Sequence, residues 1–125
     1  MQAAQKTEKV STMATILSAS TLSGDKVKNG KGEDLGKVEE LMIDCESGRV
    51  AYAVLSFGSG LMHSGKLFAI PWASLAVDQE GKQLILNVTR EMLETAEGFD
   101  KDHWPDMADP AFLTRTYSHY GIKPW

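Results

Sequence analysis

Residues 35–58 read LGKVEELMIDCESGRVAYAVLSFG, and the spacing of their apolar side chains decides the fold. Between Leu35 and Cys45 the apolar positions are Val38, Leu41 and Ile43, so the period-two alternation of a strand slips phase between Val38 and Leu41, as a β-bulge produces. A bulge there helps a sheet to curl. The turn ESGR, Glu46 to Arg49, leads into RVAYAVLSFG, which has β-branched and aromatic residues on one face and Ala51, Ala53, Leu55 and Phe57 on the other. A strand apolar on both faces belongs at the centre of a sheet.

Working outward, KVKNGKGEDLG (26–36) predicts strand, an Asn29-Gly30 turn, then strand, since Asn-Gly readily adopts the positive φ angles of a tight hairpin. Before it, short apolar alternating runs begin at Ala14, and residues 1–13, polar and aperiodic, form an arm expected to be disordered. Beyond the centre, GSGLMHSG (58–65) is a glycine-rich loop. KLFAIPW (66–72) is a strand ended by Pro71, Ala73 to Leu75 make one helical turn, and LAVDQEGKQLILNV (75–88) is a second hairpin across Glu80-Gly81. About six short antiparallel strands result. TREMLETAEG (89–98) predicts a helix with Thr89 as N-cap, Met92, Leu93 and Ala96 as its stripe and Gly98 as C-cap. DPAFLTRTYSHYG (109–121) predicts another, capped by Asp109, with Pro110 at its first position and Gly121 to stop it.

A chain of 125 residues is one domain and buries roughly two-thirds of its unfolded surface. With 42% hydrophobic and 24% charged residues it reads as soluble and globular. The net charge of −4 and 13 scattered basic residues argue against direct DNA binding. No apolar run approaches the ~20 residues of a spanning helix, and the first residues lack a secretory apolar core, so no membrane insertion and a cytoplasmic location are expected. The single cysteine, Cys45, fits a reducing compartment.

The order LGKVEELMIDCESGRVAYAVLSFG, then LFAIPW, then LILNVTREMLETAEGFD resembles the PRC-barrel domain, over about Ala14 to Asp100. That family includes the cytoplasmic domain of the photosynthetic reaction-centre H subunit, the C-terminal domain of a ribosome maturation factor and many stand-alone proteins. Residues 101–125 form a C-terminal extension, and the tail from Gly98 onward resembles that of stand-alone bacterial members. The resemblance implies a mainly β fold, a small partly open antiparallel β-barrel with a C-terminal helical extension, used as a non-catalytic adaptor toward a protein partner. It carries no shared catalytic residue. No counterpart of the reaction-centre subunit's membrane anchor or of the ribosome factor's N-terminal domain is expected here, so neither specific role is implied by the resemblance.

Against that background the candidate sites are few. GFDKDHWPDM (98–107) offers Asp100, Asp102, His103 and Asp106 as divalent-metal donors, but the spacing matches neither an EF-hand loop nor a zinc motif. The expected reading is a strap in which Phe99 and Trp104 cover apolar surface and the acids cap backbone. GSGLMHSG lacks the Lys-Ser/Thr pair of a phosphate loop. Leu61 and Met62, in a flexible glycine frame beside His63, either fold over the barrel mouth or meet a partner. Cys45, flanked by Asp44 and Glu46, is expected to be structural and unreactive, and no nucleophile–base set is legible. The tail aromatics Trp104, Phe112, Tyr117, Tyr120 and Trp125 either dock on this chain's own sheet, cross to a second copy, or anchor another protein. The expectation is thus an adaptor and not an enzyme, without cofactor or metal, homodimeric, contacting a protein through Leu61, Met62, His63 and the tail aromatics. The alternatives are a small-ligand or divalent-metal binder and, more weakly, an RNA-linked ribosome factor.

Overall fold

The computed structural model describes residues 15–57 and 66–124. The expected N-terminal arm, the Leu61-Met62-His63 loop and Trp125 lie outside the described residues.

The long hairpin at the heart of the sequence is the heart of the fold. Strand β2 (Asp34–Asp44) pairs antiparallel with β3 (Arg49–Ser56), and β3 pairs with β4 (Lys66–Pro71). The phase slip sits where the apolar spacing places it: Val38 faces Leu55 but Glu40 faces Val54, so Glu39 is the extra residue. Val38 and Leu41 consequently share the inner face. A second slip follows, with Met42 opposite Tyr52 and Ile43 opposite Val50, leaving Ala51 as the extra residue on β3. That bulge turns Ala51 to the same side as Tyr52, against the strict alternation expected for it.

Strand β1 (Lys26–Lys28) pairs with β2, and β5 (Leu75–Asp78) with β6 (Gln83–Leu86), both antiparallel. The sheet order is β5-β6-β1-β2-β3-β4-β7, with β5 and β7 as unjoined ends. The sheet curls without closing, the partly open barrel expected. Two details differ from the expectation: β1 and β6 pair in parallel, and a seventh strand, β7 (Gly98–Asp100), extends the sheet beside β4. Gly98 is therefore a strand residue and not a C-cap. Helix α2 (Arg90–Glu94) is shorter than its pattern predicts; Thr89 caps it by accepting the Met92 N–H, and Thr95 ends it. Residues 15–22 supply no strand either: Ser18 caps a single turn, α1 (Ala19–Leu22).

The first hairpin forms where expected, by a different device. Gly30 does not take a positive φ; Gly32 does, at 83°. Asn29 is buried, and its Oδ1 accepts the Lys31 and Glu33 N–H groups at 3.0 Å each, while Nδ2 donates to Glu33 Oε1 at 2.7 Å and to the Val88 carbonyl at 3.3 Å. One side chain thus folds the loop and ties it to the segment after β6.

Two apolar layers hold the molecule. Inside the curl, Val27, Leu35, Leu55, Ile70, Leu84 and Leu93 pack at 1% exposure or less. Outside it, Tyr52, Val54, Leu67 and Ala69 form an apolar sheet face that helix α3 (Pro110–His119) covers with Phe112 and Tyr117. The helix starts and stops as its sequence directs: Asp109 accepts the Ala111 N–H, Pro110 opens it, and Gly121 follows at φ 70°. Burying Phe112 and Tyr117 contributes about 1.5–3 kcal/mol each.

Candidate functional site

The outer face is where tail and sheet meet, and its chemistry begins with three rings. Tyr52 lies 5.9 Å from Phe112 and 5.7 Å from Tyr117, centroid to centroid, the latter edge-on at 82°. Tyr117 donates its hydroxyl to the Ala51 carbonyl at 2.8 Å, the residue the β2–β3 register skips, so the bulge receives its own partner. Tyr52 donates to the Met107 carbonyl at 3.3 Å and fastens the strap to the sheet. Burial, with the nearby Tyr117 phenol adding to it, pushes the Tyr52 hydroxyl up to about 12. Burial also raises the hydroxyls of Tyr117 and Tyr120 above the ordinary phenol range.

Of the tail aromatics, Phe112 and Tyr117 are 3% and 1% exposed and dock on this chain's own sheet, which removes them as contacts for a partner. Tyr120 packs toward the inner layer beside His119, whose Nε2 meets the Met92 carbonyl at 2.9 Å. Trp104 is different: its ring covers Phe99 at 5.3 Å yet stays 40% exposed. It is the one described member of the expected contact set that presents an apolar ring to solvent.

The strap itself behaves as capping chemistry predicts. The Asp100 carbonyl accepts the His103 N–H, and the Asp106 carboxylate accepts the Ala108 N–H at 3.0 Å. Among the described residues no three His, Cys, Asp or Glu side chains gather as a metal would require, and Asp100, Asp102, His103 and Asp106 do not converge. Arg115 bridges to Glu97 at 3.1 Å across exposed side chains, where water screens the pair and leaves it little weight in stability.

What sequence reasoning missed is an open apolar groove of about 430 Å³ between the far end of the β2–β3 hairpin and the start of α3. Its floor is Ala51 and Tyr52; Met42 and Ile43 form one wall and Met107 and Leu113 the other. Ile43, at 48% exposure, is among the most exposed large apolar side chains of the described residues. Ile43 pairs with Val50 just beyond the second bulge, and only the tertiary packing brings Met107 and Leu113 to the same groove. Cys45 is exposed in the adjoining turn. No helix among the described residues is long and apolar enough to cross a membrane.

Comparison with known proteins is consistent with this architecture. A family model described as PRC-barrel domain matches residues 14–93. No curated protein matches the chain.

Proposed function

The chain belongs to the PRC-barrel domain family, and from that membership we propose that it works as a non-catalytic adaptor that binds another protein on the outer face of its sheet. The observation that carries the proposal is the groove: largely apolar, open, lined by two methionines, and left uncovered beside the part of that face on which Phe112 and Tyr117 pack. Methionine side chains rearrange at low cost, which suits a surface that accepts a partner's side chains.

The test is co-purification from source lysate with the full chain as bait, beside a Met107→Glu bait whose groove carries a charge. A specific protein recovered by the first and lost by the second supports the adaptor role. A full-length bait that recovers no specific protein ends it.

The groove's volume also lies in the range of small-ligand cavities, about 300–1,000 Å³, which supports a second reading, an apolar small molecule in the same place. Thermal stabilisation by such a molecule, abolished by Met107→Glu, would favour it over a protein partner.

A further inference from the structure

The β2 strand is longer than its neighbour. It spans 11 residues, yet β1 pairs only with Asp34, Gly36 and Lys37. The next contacts on that side come from the loop before β1: Val38 exchanges backbone hydrogen bonds with Gly24 and Asp25, and Ser23 Oγ donates to the Glu39 carbonyl. Beyond Glu39, among the described residues, no strand pairs with Glu40–Ile43 on the side away from β3. An edge of this kind presents outward-facing N–H and C=O groups, a template for another strand.

We propose that this overhang, Glu40–Ile43, is a docking edge for an extended, lysine- or arginine-bearing segment of another protein, which adds to β2 as a strand and seats an apolar side chain in the neighbouring groove. The proposal rests on the adaptor reading and specifies its partner. Three observations fix the occupant. Backbone pairing selects an extended chain, because only that conformation matches a row of edge N–H and C=O groups. The groove opens beside Met42 and Ile43 of the same stretch, so alternate side chains of an added strand project onto its face. Charge then selects the partner: between the flanking Lys37 and Arg49 the sequence carries no Lys or Arg, while its three glutamates, Glu39, Glu40 and Glu46, are all exposed. Two copies of this chain sharing the edge would bring both sets of carboxylates into one ladder, where facing like charges destabilise pairing. A basic foreign segment meets the same carboxylates favourably.

The test uses the full chain, isotope-labelled for amide detection, and three synthetic probes: a short alternating valine–lysine peptide, its valine–glutamate counterpart, and the valine–lysine peptide N-methylated on every backbone nitrogen. Protection of amides from hydrogen exchange should concentrate on Glu40–Ile43 when the valine–lysine peptide is added, and binding should weaken with salt. The glutamate peptide should bind at least about tenfold more weakly, and the N-methylated one not at all. A Glu40→Lys/Ile43→Lys variant, changed only at exposed side chains, should lose the valine–lysine peptide while keeping its melting temperature. Protection centred elsewhere, undiminished binding of the N-methylated peptide, or a self-dimer dissolved by the double variant would overturn the proposal. Used as bait, the double variant separates the two readings. A natural partner that it retains in full overturns the docking edge and leaves the adaptor role standing, whereas a wild-type bait that recovers none removes the adaptor role itself.

Discussion

Tyr117 and Tyr120 stand three positions apart at the end of α3 and have opposite hydrogen-bond fates. Tyr117 satisfies the skipped Ala51 carbonyl, whereas the Tyr120 hydroxyl is buried without a partner among the described residues. Removing a hydroxyl whose partner stays behind, buried, leaves that partner unpaired; removing an unpartnered one relieves a desolvation cost. Tyr117→Phe should therefore lower stability by about 1–2 kcal/mol, and Tyr120→Phe should leave it unchanged or raise it by up to about 1 kcal/mol, both read from urea unfolding. The same buried phenols set the alkaline limit. Unfolded, Tyr52 ionises near 10.0; folded, near 12, so the native state holds its proton while the unfolded chain has lost it. Its contribution is complete below the unfolded value and fades as pH climbs from there through the folded one. Stability measured across that window should fall, and Tyr52→Phe should flatten the fall even though it loses the bond to Met107.

Among elements, the β2–β3 hairpin is the most constrained by its backbone. Gly36 sits at φ 123°, a region that side chains rarely enter, and a Cβ there would lie 1.9 Å from the Ser56 carbonyl oxygen. Gly36→Ala should cost about 3 kcal/mol or more, or prevent folding, as thermal melting would reveal. The Asn29 loop gives a second element-scale expectation. Asn29→Ala removes the side chain at the centre of the β1–β2 loop and its link to Val88, four hydrogen bonds at once. A loss of about 2–3 kcal/mol should follow, less than the sum of the single bonds because water reaches part of the opened loop.

For the molecule as a whole, strap and α3 act as one lid on the outer sheet face. Ending the chain after Asp100 would uncover Tyr52, Val54, Leu67 and Ala69, all buried at present, and would take away the aromatic cluster. The truncated protein should keep its inner layer, melt at lower temperature and associate through the bared face, which light scattering would detect. A truncated chain as soluble and stable as the whole would show that the lid is dispensable for folding, and a role in binding would then be its better explanation.

Much of this architecture was legible because it is written in local chemistry. The Val38/Leu41 slip, the two-faced β3, the Thr89 and Asp109 caps and the Pro110 start each depend on residues within one or two turns of chain, where sterics and hydrogen bonding act directly. Other features were hidden because they depend on what lies opposite. The parallel β1–β6 pair joins segments more than fifty positions apart, and β7 is a strand only because β4 offers it an edge; three residues led by glycine carry no strand signal of their own. Ala51 changes sides through a bulge that its own alternation does not announce, and Ile43, Met107 and Leu113 became one groove only when the register and the helix placement brought distant stretches together. Sequence alone determined the central strands, the first hairpin and the N-terminal caps of both later helices, since those are short-range preferences. The sheet order, the side each residue faces after a bulge, and the surface left open were decided by tertiary packing, because each is a relation between parts of the chain that no local pattern contains.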